Sequence, residues 1–136
     1  MNKELIYKLD VSHMGMLGSK GFAAQCYRAG NLVFMTGQTA FTLTGELVGV
    51  GDPAAQARQA CENIKTLMEM AGGSIHDVVK IVVYITDRSH RDVIYPTIHG
   101  FFGDLRPCGT GLIVQGLARE ELLVEIDAYG IIDDPA

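Results

Sequence analysis

From position 57 onward, Ala57, Ala60, Cys61, Ile64, Leu67, Met68 and Ala71 recur in steps of three and four, with Arg58, Gln59, Glu62, Lys65 and Glu69 between them. That spacing draws one apolar stripe along a long amphipathic helix. Both of its ends are legible. Asp52 can accept hydrogen bonds from exposed backbone N–H groups, Pro53 suits a first helical position, and Gly72-Gly73 can close the last turn. Directly downstream, residues 78–85 (VVKIVVYI) are β-branched almost throughout, the mark of a strand buried on both faces or set against a subunit partner. Residues 91–102 return to helical spacing, with Val93, Ile94, Ile98, Phe101 and Phe102 as the apolar side; Pro96 should distort this helix or mark its true first turn. Residues 122–129 alternate, with Leu122, Val124, Ile126 and Ala128 on one face and Leu123, Glu125, Asp127 and Tyr129 on the other.

Weaker patterns fill the gaps. Residues 5–9 suit a short edge strand, residues 10–21 a glycine-containing loop, and residues 22–27 and 31–36 two further strands, the second entered through Ala29-Gly30-Asn31. That strand ends at Thr36-Gly37-Gln38, where glycine lets another backbone or a ligand come close. Thr44-Gly45 suits a hairpin tip, and Pro107 with Gly109 and Gly111 opens an extended segment over residues 110–117. Strands grouped beside two helices predict an α+β fold, a mixed sheet with both helices on one face, in a single domain over residues 1–136. Two helices cover one face only, so the other is expected to meet a copy of itself in a homo-oligomer.

Composition narrows the function classes. A net charge of −5, no Trp and no run of Lys or Arg argue against a nucleic-acid binder, which gains affinity by displacing counterions with basic patches. The three cysteines, Cys26, Cys61 and Cys108, form no C-x-x-C pair, and Cys61 lies on the helix stripe; buried thiols in a reducing compartment are expected, and with no signal-peptide core or membrane-length apolar run, a cytoplasmic protein with no membrane partner. His13, His76, His90 and His99 lack metal-ligand spacing, so no metal site is expected.

The blocks GNLVFMTGQ (30–38), DPAAQARQACENIKTLMEMAGG (52–73), VVKIVVYITD (78–87) and LLVEIDAYG (122–130) resemble, in order, those of the RidA family, also called YjgF. The resemblance covers roughly residues 20–130. It implies a chorismate-mutase-like fold, a homotrimer with pockets at the subunit interfaces, and cofactor-free hydrolysis of 2-aminoacrylate-type enamines and imines to 2-oxo acids and ammonia. Family deaminases read Pro-Ala-Arg-(Ser/Thr) before the penultimate strand, the Arg gripping the substrate carboxylate. This chain reads Pro107-Cys108-Gly109-Thr110, which puts Gly109 at the arginine position. The tyrosine of the family's early Gly-Pro-Tyr segment falls at Ala23, and the asparagine of its second helix at Tyr95. A bidentate Arg–carboxylate contact is worth about 1.5–3 kcal/mol, so its loss points away from the standard 2-imino acid deaminases. Arg106, three residues upstream, is the one nearby substitute.

Glu125 is the candidate catalytic residue. Set between Val124 and Ile126, its carboxyl can have a raised pKa and activate water, or it can serve only as a structural acceptor of backbone hydrogen bonds. Gly109, Thr110 and Gly111 can present N–H groups and a hydroxyl to a polarised carbonyl, or form a strand start that needs small residues. With Thr36, Gly37 and Tyr95 they make up the candidate substrate-binding set. His99 is placed near Tyr95, and Cys108 near the same segment without an evident base. Two functions follow: a C–N hydrolase or deaminase acting on an imine, enamine or small amide metabolite, or a non-catalytic trimer that binds a small ligand in a regulatory or protective role. RNA cleavage, also attached to the family, is disfavoured by the acidic balance.

Overall fold

The structure, a computed structural model, describes residues 2–10 and 22–133. The loop expected over residues 10–21, and His13 within it, lies outside these apart from Asp10. Strands β1 (Lys3–Asp10), β2 (Phe22–Ala29) and β3 (Leu32–Met35) form an antiparallel meander. Helix α1 (Pro53–Met70), strand β4 (Val78–Ile85), helix α2 (Arg91–Phe102), and strands β5 (Cys108–Ile113) and β6 (Val124–Ile131) follow. The sheet order is β1-β2-β3-β6-β4-β5. Every neighbouring pair is antiparallel except β4 and β5, which run parallel because α2 carries the chain back across the sheet. The mixed sheet with two helices expected from the sequence is thus present.

The caps of α1 act as read. Asp52 Oδ1 accepts from the Ala55 N–H at 3.0 Å, and after Ala71 the chain turns at Gly72, φ +100°, with the Gly73 N–H donating to the Met68 carbonyl. The stripe Ala57, Ala60, Cys61, Ile64, Leu67 and Met68 is fully buried. It packs on Val78, Ile81, Val83 and Ile85 of β4 and on Val124, Ile126 and Ala128 of β6. Cys26 and Cys61 are buried there, and burial pushes their thiols up to about 11 and about 12, so both stay protonated and inert; Cys108 is exposed on β5.

Strand β4 is buried on its helix face, and Val79 and, in part, Lys80, Val82 and Tyr84 form its open face, the side a subunit partner would meet. Three expectations shift. Helix α2 starts at Arg91, so Pro96 lies inside it rather than in its first turn; Ile94, Ile98 and Phe102, four residues apart, anchor both sides of the proline in the core, whereas Val93 faces solvent. The extended segment placed at 110–117 is β5, Cys108–Ile113, ending once the Val114 N–H has bonded to the Ile85 carbonyl. Strand β6 begins at Val124 rather than Leu122. The Leu123 N–H is taken by the side-chain oxygen of buried Gln56, whose amide also donates to the carbonyls of Gly49 and Glu121. That glutamine sits on α1, so one side chain ties the helix, the 39–51 segment and the approach to β6 together.

The sheet face away from the helices carries exposed Leu32, Phe34, Tyr129 and Ile131, with Phe34 and Tyr129 in an edge-to-face contact at 6.1 Å. All six residues of the edge strand β5 are exposed.

Candidate functional site

The candidate residues fall into two groups on opposite faces of the sheet. On the open face, β6 presents Glu125 and Asp127 beside the 36–38 segment. Gln38 and Ile126 exchange backbone hydrogen bonds of 2.8 Å, continuing the pairing of β3 with β6. Between the pairs Phe34↔Tyr129 and Gln38↔Ile126, the first strand carries one residue more than its partner. The resulting bulge brings Gly37 over the two carboxylates. A Cβ at Gly37 would lie 2.3 Å from Glu125 Oε2 and 2.9 Å from Asp127 Oδ1, so this glycine is what leaves room for both. Thr36 stands next to it, but its hydroxyl donates to the Ala24 carbonyl at 2.6 Å and so does not reach toward Glu125 as a free donor.

The register of β4 against β6 sets Tyr84 opposite Glu125, and the Tyr84 hydroxyl donates to Asp127 Oδ2 at 2.8 Å. That bond, first among several causes, raises the Tyr84 pKa to about 12. Burial, and behind it the Asp127 charge, raises the Glu125 carboxyl above its ordinary value. The open face therefore holds a half-buried carboxyl able to keep or take a proton, next to a second carboxylate tied to a tyrosine. Gly37→Ala is expected to drive the Glu125 carboxylate toward solvent and bring its pKa back down toward the usual range. Carbon-13 NMR titration of the glutamate side chains checks this; an unchanged Glu125 pKa would show that Gly37 does not set its position.

On the helix face, a cavity of about 370 Å³ opens between α2 and β5. Ile81, Val83, Ile98 and Phe102 supply its apolar lining, and the backbone of residues 109–111 one wall. The polar side chains are Arg91, Tyr95, His99 and Arg106. Arg91, Tyr95 and His99 are spaced four apart and share one side of α2; the Arg91 guanidinium lies over the Tyr95 ring at 4.8 Å, and the Tyr95 and His99 rings are 6.0 Å apart. Gly109 and Gly111 face this cavity. A Cβ at 109 would meet only Ile81 Cγ1, at 3.9 Å, whereas one at 111 would collide with the Tyr95 hydroxyl at 2.1 Å. Gly111 is therefore required by Tyr95, while Gly109 leaves usable space. Thr110 lines the cavity, but its Oγ1 accepts a hydrogen bond from Lys80 Nζ at 2.7 Å.

Within one chain, then, Glu125 and Gly37 come together, and Tyr95, Gly109 and Gly111 come together, but the sheet separates the two sets. Asp127, Tyr84 and Arg91 were not singled out by sequence reasoning. Asp127 shares a face with Glu125 by strand alternation and Arg91 shares one with Tyr95 and His99 by helical spacing, so both signals were present; Tyr84 needed the strand register. Among the described residues, no group of three or more His, Cys, Asp or Glu side chains could hold a metal, and no helix is long and apolar enough to cross a membrane.

An α+β sheet of this order, with a glycine-facing glutamate on one side and a helix–strand cavity on the other, defines a class of small mixed-sheet scaffolds, and comparison with known proteins specifies it. The profile of the Endoribonuclease L-PSP family matches residues 19–132. A RutC family protein of Pyrococcus horikoshii is 37% identical over 106 residues, spanning 77% of this chain and 82% of its own. The crystal structure of RidA from the Antarctic bacterium Psychrobacter sp. PAMC 21119 superposes with a TM-score of 0.74 at 35% identity, covering 85% of this chain and 92% of that one. Escherichia coli TdcF with bound serine superposes with a TM-score of 0.75 at 30% identity, over 85% and 92%. The chain belongs to the RidA/YjgF family. At the level of the family, that membership supports a small-molecule-binding or deaminase-type function.

Proposed function

We propose that this protein is a RidA-like C–N hydrolase or deaminase acting on a small imine, enamine or amide metabolite, in which Glu125 activates the attacking water. The observation that carries the reading is the half-buried Glu125 carboxyl with its raised pKa, held against Gly37. A carboxyl tuned upward can accept a proton from water as it attacks the C=N carbon and return it to the departing nitrogen. The reading includes a homotrimer. The exposed apolar open face and the uncovered edge strand β5 are the surfaces that a second copy would bury, which would place the Glu125 side of one copy against the α2–β5 cavity of the next. Their charges are complementary: acidic Glu125 and Asp127 on one, Arg91 and Arg106 on the other. Tyr95, Gly109, Thr110 and Gly111 would then hold the substrate, with Thr36 and Gly37 bordering it. That a relative was solved with serine bound agrees with an amino-acid-sized ligand.

The test is ammonia release from freshly generated 2-aminoacrylate and from a panel of imines and small amides, with and without the protein. Turnover supports the hydrolase. Saturable binding of the same compounds without turnover favours the alternative, a non-catalytic ligand-binding trimer. The endoribonuclease in the family's name is disfavoured by the net charge of −5.

Gly109 also makes a prediction. Because a side chain there meets nothing closer than 3.9 Å at Cβ, Gly109→Arg should fold normally and add a guanidinium to the cavity. Its affinity for small 2-oxo acids is expected to rise about tenfold, read by calorimetry; no gain would count against the glycine as the reason for an altered substrate.

A further inference from the structure

On the open face, Glu125 and Asp127 converge on one spot. Both reach the place where a Cβ at Gly37 would stand, Glu125 Oε2 2.3 Å and Asp127 Oδ1 2.9 Å from it. Two carboxylates so near each other do not ionise independently, and which one takes the proton depends on what else each touches. Their surroundings differ. Asp127 Oδ2 accepts the Tyr84 hydroxyl at 2.8 Å, a bond that favours a charged acceptor, whereas the Glu125 side chain accepts no hydrogen bond among the described residues. A tyrosine has one hydroxyl proton, so the bond to Asp127 leaves none for Glu125. The 36–38 segment faces the pair with Gly37 and carries no titratable side chain. From β4 come Tyr84 and, further along, Lys80, which stands opposite Tyr129 and whose Nζ donates to Thr110. Among the described residues neither carboxylate is ion-paired. Burial, and after it the Asp127 charge, raises the Glu125 carboxyl, in keeping with this asymmetry.

We propose that Tyr84 and Asp127 are positioning residues that make Glu125 the proton-carrying member of this carboxyl pair. By fixing Asp127 and favouring its charge, the tyrosine directs the pair's proton to Glu125. Asp127 then acts on the reaction through Glu125 and touches neither the water nor the substrate. The hydroxyl is what matters in Tyr84, since a phenylalanine there would fill the same space and leave Asp127 without its donor. The inference deepens the hydrolase reading and rests on it for the chemistry that Glu125 performs. The assignment of the proton stands on the contacts of the two carboxylates.

The full chain and its Tyr84→Phe, Asp127→Asn and Tyr129→Phe variants are compared at matched oligomeric mass. Carbon-13 NMR titration of the glutamate side chains and pH profiles of imine turnover are the two readouts. Losing the Tyr84 bond or the Asp127 charge should lower the Glu125 titration midpoint. It should stay above that of an ordinary glutamate, because burial, the larger cause, is untouched. Tyr129→Phe removes a hydroxyl from the same face and keeps a ring against Phe34, so it should leave the midpoint in place. In turnover, the acidic limb of the profile should move to lower pH in step, and kcat should fall about tenfold while KM changes by less than about twofold. Asp127→Asn is close in shape and can still accept from Tyr84, so it decides the matter if Tyr84→Phe disturbs the sheet. A Glu125 midpoint unchanged in Asp127→Asn overturns the proposal. So does a rise in KM with an unmoved pH profile, since the pair would then be substrate contacts. If the unmodified protein turns over no imine but the midpoints move as expected, the hydrolase reading fails and the proton assignment holds.

Discussion

Glu125→Gln is expected to lower kcat/KM for 2-aminoacrylate-type substrates by at least about 100-fold while the protein stays folded. The amide keeps the shape of the side chain but can neither take a proton from water nor return it. Stability should move the opposite way. The Glu125 pKa is raised in the folded state above that of an ordinary glutamate, so the folded protein holds that proton more tightly than the unfolded chain does. The stability this contributes is complete below the unfolded pKa and is lost as pH rises through the folded one. At neutral pH the charged, half-buried carboxylate next to Asp127 is thus a burden, and the Gln variant should melt a few degrees higher than wild type. The difference should vanish toward pH 4, where both side chains are neutral. Scanning calorimetry at the two pH values reads it. A variant that is less stable than wild type at pH 7 would mean that Glu125 is a structural acceptor, the plainer alternative for this residue.

The largest effect on stability is expected from Phe102→Ala. Phe102 is only 1% exposed, closes the last turn of α2 and is among the residues lining the cavity. Truncation removes most of an aromatic side chain from a packed core, at a cost of about 3–5 kcal/mol, or a fall in Tm on the order of 10 °C. The helix end carrying His99 should loosen with it, so affinity for small 2-oxo acids should drop as well, in calorimetry run well below the variant's Tm. A Tm within a degree of wild type would show that α2 is held by contacts other than this one.

Much of this architecture is written in local patterns. The stripe from Ala57 to Ala71 and the caps at Asp52 and Gly72 needed no tertiary information, because helical period and terminal hydrogen bonding depend on residues within one or two turns. Strand alternation likewise placed Glu125 and Asp127 on one face. At Pro96 the local rule is not enough: the helix extends on both sides of it, with Ile94, Ile98 and Phe102 buried in the common core and α2 packed on α1, distant in sequence. The start of β6 was also set from afar, by Gln56, a residue 67 positions before Leu123.

The site was legible in its parts and not in its arrangement. By itself the sequence determined the elements, the buried stripe, the α+β class and the acidic candidate on the last strand, since each follows from spacing along a short stretch of chain. Only the tertiary structure decided that Glu125 and Gly37 lie on one side of the sheet while Tyr95, Gly109 and Gly111 lie on the other, that Tyr84 reaches Asp127, and that Arg91 and Arg106 share a cavity. Those facts depend on strand register and on the crossover of α2, which are fixed by packing between residues far apart in the chain and leave no periodic trace in any one segment.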